Sequence, residues 1–238
     1  MSLTRTGIEY LDFLWQIATG CTNWRNPDIC GGGGSEFSCW AKGLIEGRLK
    51  RFYPQGFEPT FYSERINDPV SRRNPSVVGV GFMGDLFCGS FPVEQVQEIL
   101  GVVRETSRHT YVFLTKSPWE LMSYNPWPSN AWVGASVTNA KQYAVAIACL
   151  ALVQARVKFL SFEPLLEAMP IAPPYMLDDI HWIIEGAATK PSRLPEKVWV
   201  TQLIQAANRA DVPVFIKGNM RSIYPPLLRD KLRQEMPR

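Results

Sequence analysis

Short, continuously apolar runs rich in β-branched and aromatic residues recur along the chain, and stretches of helical periodicity separate them. The runs Tyr10–Ala18, Val77–Met83, Thr110–Thr115, Ala131–Val137, Val157–Phe162, Ile180–Glu185 and Val212–Lys217 read as strands. Most hold few polar positions, as in Val77-Val78-Gly79-Val80 and Ile180-His181-Trp182-Ile183-Ile184. Such runs suit strands covered on both faces, which is the parallel-sheet case. Between them, Pro92 opens a helix whose apolar face is Val93, Val96, Leu100 and Val103. Ser117-Pro118-Trp119-Glu120 reads as a capping box with proline in the first turn. Asn139 caps a third helix with Ala144, Ile147, Ala148 and Ala151 turned inward, and a fourth begins at Pro195-Glu196 and carries Leu203, Ile204 and Ala207. This alternation predicts an α/β fold with mostly parallel strands, either a full or partial (β/α) barrel or an open doubly wound sheet.

Proline and glycine punctuation falls at Gly31–Gly34, Asn125–Pro128 and Pro170–Pro174, but none of these stretches is long enough for a domain linker. No repeat of fixed period appears. The expectation is a single domain over 1–238, with a barrel-like core to residue 219 and an appendage over 220–238, where Tyr224-Pro225-Pro226 precedes a basic run from Arg229 to Arg233.

Composition narrows the class. With 238 residues, 46% of them hydrophobic, the chain can bury roughly 70–75% of its unfolded surface in one large core, which excludes a disordered chain or a mini-protein. No window approaches the ~18 uninterrupted apolar residues of a membrane span, and Met1–Tyr10 is too polar for a signal peptide. A cytoplasmic protein with no membrane partner is expected. The 25 basic and 22 acidic residues give a net charge of +3, with no strong basic stripe of the kind that marks a nucleic-acid binder. There are two histidines, His109 before a strand and His181 inside one, and both read as structural. A zinc hydrolase or a Ser-His-Asp enzyme therefore has little support, and neither a phosphate-binding P-loop nor a dinucleotide glycine fingerprint is present.

Chemistry concentrates at the strand ends. In parallel α/β architectures ligands bind at the rim formed by the carboxyl ends of the strands. Here those ends carry Gly20-Cys21, Met83-Gly84-Asp85, Thr115-Lys116, Ser136-Val137-Thr138-Asn139, Ser161-Phe162-Glu163, Glu185-Gly186 and Lys217-Gly218-Asn219. Asp85 and Glu163 suit amines, Lys116 and Lys217 suit a carboxylate or phosphate, and Ser136, Thr138 and Asn139 suit ribose hydroxyls or an amino-acid moiety. Three of the five cysteines, Cys21, Cys30 and Cys39, follow the first strand closely. Clustered thiols in a cytosolic chain are metal ligands or catalytic groups more often than disulfides, and three thiolates can hold three corners of an iron–sulfur cluster and leave one iron open. A fourth ligand at zinc spacing is absent from the segment. Cys88 reads as a loop thiol and Cys149 as a buried helical one.

These blocks resemble a phage-associated, three-cysteine protein family of unknown function whose members resemble radical S-adenosylmethionine enzymes. The likeness begins at Leu14-Trp15-Gln16-Ile17-Ala18-Thr19-Gly20-Cys21 and continues at Cys39-Trp40-Ala41, Met83-Gly84-Asp85-Leu86-Phe87 and Phe113-Leu114-Thr115-Lys116-Ser117-Pro118. Trp132 to Asn139, Phe159 to Leu166, Trp182 to Gly186 and Val212 to Lys217 follow in the same order. The resemblance implies a barrel-like fold and a four-iron four-sulfur (4Fe-4S) cluster on Cys21, Cys30 and Cys39. It also implies cleavage of S-adenosylmethionine to a 5′-deoxyadenosyl radical that abstracts hydrogen from an unknown substrate. Trp40 would lie beside the adenine. Ser136, Thr138, Asn139 and Glu185 would contact the cofactor, and Asp85, Lys116, Glu163 and Lys217 would act on substrate, with a reductant or partner protein supplying the electron. Family members set the last two cysteines two residues apart, whereas Gly31–Ser38 intervenes here.

Two other readings compete. One is a non-catalytic nucleic-acid- or protein-binding barrel that has lost the cluster and contacts phosphates through Arg48, Lys50, Arg51, Arg72, Arg73 and the C-terminal basic run. The other is a zinc-stabilised structural protein in which Cys88 or Asp85 completes a tetrahedron.

Overall fold

The computed structural model describes residues 3–30, 38–171, 177–223 and 232–237. The glycine run at Gly31–Gly34 and the Tyr224-Pro225-Pro226 segment therefore lie outside the described residues, as do 172–174. In chain order the strands are β1 (Thr4–Arg5), β2 (Phe13–Trp15), β3 (Ala18–Thr19), β4 (Thr60–Phe61), β5 (Val77–Val80), β6 (Thr110–Thr115), β7 (Ala131–Ser136) and β8 (Val157–Phe162), then β9 (Trp182–Glu185), β10 (Ala188–Thr189), β11 (Ser192–Arg193) and β12 (Val214–Ile216). The helices are α1 (Trp40–Glu46), α2 (Val93–Glu105), α3 (Ala140–Ala151) and α4 (Lys197–Arg209).

One eight-stranded sheet runs β1-β2-β5-β6-β7-β8-β9-β12. Every pairing after the antiparallel β1–β2 edge is parallel. From β2 onward the order rises without reversal, so right-handed crossovers place the helices on one face. Side-chain alternation separates the two faces. Trp15, Val80, Phe113, Val133, Leu160, Phe162, Ile183 and Ile216 pack with the helices in the larger core. Leu14, Val112, Phe159, Trp182, Ile184 and Phe215 form a second cluster on the other face, which contains no helix residue. Strands so far apart in the order meet there because the sheet curls around that cluster. Gly134 makes room for it, since a Cβ at this position would stand 2.6 Å from the Phe159 ring.

No ladder joins β1 or β2 to β12 among the described residues, so the structure shows an open, curled parallel sheet rather than a closed barrel. Side chains bridge the seam instead. Glu9 accepts from Gly218 N at 2.9 Å and from Gln234 Nε2 at 2.8 Å, and the Tyr10 ring stands edge-on to Trp182 and Phe215. The described part of the C-terminal segment lies along β12, where Ile216 N donates to Arg233 O and Glu235 N to Val214 O. Met236 then packs on the inner cluster. A bare sheet edge leaves amide and carbonyl groups unpaired, and this segment satisfies those of β12.

Three local expectations change. The Ser117-Pro118-Trp119-Glu120 box opens a 3₁₀ turn over Pro118–Tyr124 with no side-chain cap, because the Ser117 hydroxyl is taken by Asn23 Nδ2 at 2.9 Å. On α2, Val93 is exposed and Ile99 takes its place inside. On α3 the buried residues are Tyr143, Ala146 and Leu150, not the alanine face at 144, 148 and 151. Larger apolar side chains gain more by leaving water, so they set the rotation of the helix. Asn139 caps α3 as expected, its Oδ1 accepting from Gln142 N at 2.9 Å.

Candidate functional site

The inward phase of the strands turns polar toward their carboxyl ends. After Leu114 comes Lys116, beyond Trp132 and Gly134 comes Ser136, after Phe159 come Ser161 and Glu163, and after Phe215 comes Lys217. All five polar residues border one cavity of about 450 Å³. Asp85, Trp40 and the thiols Cys21, Cys30 and Cys39 border the same cavity. Nine of the twelve residues singled out from the sequence are thus brought together around one space.

Cys21 is fixed by the turn before it. Gly20 N donates to Met83 O at 3.1 Å, Asp85 N donates to Gly20 O at 3.3 Å, and Gly20 forms a parallel bridge with Gly84. The chain from Phe57 to Glu58 crosses over Gly20, whose φ is +81°. Asp85 is the hub beneath this turn. Its carboxylate accepts from Asn23 Nδ2 (3.0 Å), Thr115 Oγ1 (2.8 Å), Phe87 N (2.9 Å) and Lys116 N (3.0 Å). These donors use up its oxygens, so it acts as a positioning residue rather than the expected binder of an amine. Burial raises its pKa, and the bonds from Lys116 N, Phe87 N and Thr115 Oγ1, with the Lys116 charge, oppose that shift. Replacing Asp85 with alanine strands the Asn23 amide, the Thr115 hydroxyl and two peptide N–H groups, at about 1–3 kcal/mol per unsatisfied group before relaxation. The D85A variant is expected to lose at least about 3 kcal/mol in urea unfolding; a loss under about 1 kcal/mol would show that the hub is not needed.

Each thiol has a distinct setting. Cys39 caps α1, its Sγ accepting from Lys42 N at 3.5 Å. Its pKa is raised chiefly by burial, and Cys30 raises it further by charge. Cys21 accepts from Asn23 N at 3.2 Å and shares a hydrogen bond with the Cys88 thiol. That bond raises the Cys21 pKa and lowers that of Cys88 to about 6. Read from sequence as a loop thiol, Cys88 packs beside Cys21 within a small cluster that also holds Met83, Phe57 and Ile45. Among the described residues, no three His, Cys, Asp or Glu side chains are placed to hold a single metal ion. The zinc-centred reading, which needs four ligands about one point, gains no support from this arrangement, and Asp85 is already committed to its four donors.

Lys116 and Lys217 of the cavity wall each have a polar partner. Lys217 Nζ bonds Glu163 Oε2 at 2.6 Å with both side chains about one-fifth exposed, and Lys116 Nζ donates to Ser136 Oγ at 2.8 Å. Gly186 lets the first pair lie close, since a Cβ there would come within 3.0 Å of Glu163 Cγ and 3.2 Å of Lys217 Cδ. Glu163 Oε1 and Ser161 Oγ are buried with no partner among the described residues. Tyr10 also borders the cavity, and its pKa is raised by burial and by the nearby Glu163 charge.

Three expected cofactor contacts lie elsewhere. Thr138 donates to Gln142 Oε1 at 2.9 Å, and Asn139 is used as the α3 cap. Neither borders the cavity. Glu185 follows Ile183 on the helix side of β9 because side chains alternate, and it is fully buried there with neither oxygen hydrogen-bonded among the described residues. Burial raises its pKa to about 8, with Arg233 opposing the shift. Both histidines are structural: His109 Nε2 faces Pro69 O and Arg72 O, and His181 Nδ1 accepts from Lys158 N.

Sequence reading missed Asn23, Tyr10 and the hairpin of β10 and β11. That hairpin brings Ala188, Thr189 and Lys190 to the cavity, and Lys190 O accepts from Ser38 N at 2.7 Å beside Cys39. Asn23 sits two residues after Cys21, but its partners lie 62 and 94 positions away, a separation that no local pattern encodes.

A protein-family model described as "Protein of unknown function (DUF5131)" matches residues 5–222. No curated protein and no solved structure gives a significant match.

Proposed function

We propose, for a chain that belongs to the DUF5131 family of proteins of unknown function, that it is an iron–sulfur enzyme acting on S-adenosylmethionine, with Cys21, Cys30 and Cys39 as the ligands. The observation that carries this reading is that the three thiols border one cavity together with Lys116, Lys217, Glu163, Ser136 and Ser161. A cluster suits that donor set better than a lone ion, because each thiolate then takes its own iron and the sulfurs need not crowd one point. When bound, such a cluster supplies one-electron cleavage of S-adenosylmethionine, and the protein supplies orientation and exclusion of side reactions.

The chain's own residues suit that task. The unpartnered Glu163 Oε1 and Ser161 Oγ stand ready to take hydrogen bonds from a ligand, which would relieve the cost of burying them unpaired. Lys116 and Lys217 supply positive charge for a carboxylate or phosphate. Trp40, at 45% exposure, offers a ring face to a flat heterocycle at the mouth. Tyr10, Leu114 and Phe82 line the apolar part of the cavity and keep water from it.

Anaerobic reconstitution of the full chain with iron and sulfide tests the reading. About four irons per chain and a visible charge-transfer band are expected for wild type, with both lost in C21A, C30A and C39A and retained in C149A. Reduced protein should then release 5′-deoxyadenosine from S-adenosylmethionine. Iron content unchanged by all three substitutions, or one zinc per chain with no cleavage, would overturn it.

A further inference from the structure

A second cavity, of about 600 Å³, opens near the amino ends of β2 and β5, away from the thiols. Arg5, Arg72 and Arg73 border it, together with Phe13, Ser71 and Asn74. Two of these guanidinium groups are held against one ring, with Arg72 Cζ 3.9 Å and Arg5 Cζ 5.7 Å from the Phe13 centroid. Arg72 is pinned again by Nε donating to Ser76 Oγ at 2.7 Å. Among the described residues none of the three arginines is in an ion pair. The wall also carries the carboxylate of Asp68, which is 6% exposed and has interactions of its own.

The loop that presents Arg72 and Arg73 is tied down from behind. Arg108 donates to Arg72 O (2.8 Å), Pro69 O (3.2 Å) and Val70 O (2.8 Å), and His109 Nε2 faces Pro69 O and Arg72 O. Arg108 thereby holds the loop through three of its carbonyl groups. Three guanidinium groups outnumber the single Asp68 carboxylate on this wall, and a further anion between them relieves their mutual repulsion. Because the loop and two of the side chains are already ordered, little further ordering opposes binding. A planar guanidinium presents paired N–H donors that match two oxygens of a phosphate.

We propose that this cavity is a binding site for a phosphate-bearing ligand, with Arg5, Arg72 and Arg73 as the anion contacts. The phosphates are those of a free nucleotide or of a nucleic-acid strand, which offer the same chemistry here. The site stands on residues remote from the thiols, so its failure would leave the iron–sulfur reading untouched, and the converse holds.

Titration of the full chain with pyrophosphate, ADP and a single-stranded DNA oligonucleotide, followed by calorimetry, decides the matter. Pyrophosphate is expected to bind, and R73Q and R5Q should each weaken it about tenfold or more, whereas R156Q at a remote exposed position should leave it unchanged. Melting curves confirm that the variants fold. A nucleic-acid source predicts that the oligonucleotide binds more tightly than ADP, is displaced by pyrophosphate and weakens steeply between about 50 and 200 mM salt. A nucleotide source predicts that ADP outcompetes the oligonucleotide. No binding of any probe at ~10 mM, or binding that R5Q and R73Q leave intact, would overturn the proposal.

Discussion

Raising the pH from 5 to 9 is expected to destabilise wild type in a way that E185Q abolishes. The folded chain holds the Glu185 proton up to a pKa of about 8, whereas the unfolded chain releases it near the ordinary glutamate value of about 4.3. Between those values the folded state carries more protons than the unfolded one, so stability falls as pH rises. It is full below the unfolded pKa and lost by the time pH passes the folded one. Full burial justifies the whole linkage magnitude, a loss on the order of 4–5 kcal/mol across the window. Glutamine cannot ionise, so the difference between wild-type and E185Q unfolding free energies should slope in favour of the variant as pH increases. Denaturant midpoints at several pH values measure it, and the difference isolates Glu185 from the other titrating groups. Parallel curves for the two proteins would mean that Glu185 is ionised or solvated in the fold.

The second large effect is expected at Gly20. A Cβ there would stand 2.3 Å from Glu58 O, 2.5 Å from Glu58 C and 2.7 Å from Phe57 O, on a backbone with φ of +81°. Peptide atoms cannot swing aside as a side-chain tip does, and an L side chain at positive φ adds strain of about 1 kcal/mol or more. G20A should therefore cost several kcal/mol, at the upper end of single-substitution effects. Because Cys21 follows directly, the iron–sulfur reading proposed above predicts that the variant also loses reconstituted iron, even at temperatures where it remains folded. G7A, where a Cβ would meet nothing within 4 Å, is the control. A G20A protein with wild-type stability would show that the Phe57–Glu58 crossing yields readily.

The parallel strands were legible because covered strands need unbroken apolar runs, and β6 and β8 match the sequence reading to the residue. The rim was legible for a related reason: alternation carries an inward apolar residue into an inward polar one two positions later, as in Leu114 to Lys116 and Phe215 to Lys217. The same alternation explains why Glu185 does not border the cavity. Its place at a strand end marks it as a rim residue, but its phase, set by Ile183, turns it toward the helices. The role of Asp85 was hidden because neither its burial nor its four donors can be read from the Met83-Gly84-Asp85 block. Whether Cys30 and Cys39 would face the space that Cys21 faces depended on the chain between and beyond them, including α1, which spacing alone does not describe.

Glu9 has a consequence for the chain as a whole. Its carboxylate receives Gly218 N and Gln234 Nε2 across sequence separations of 209 and 225 residues, so the two termini share a fastening that neither can close alone. Neighbouring strands pair over short stretches of chain, whereas this clasp closes a loop of more than two hundred residues and carries a correspondingly larger closure entropy. Removing Gln234 thus loosens the seam on the side of Glu9 as well as on its own.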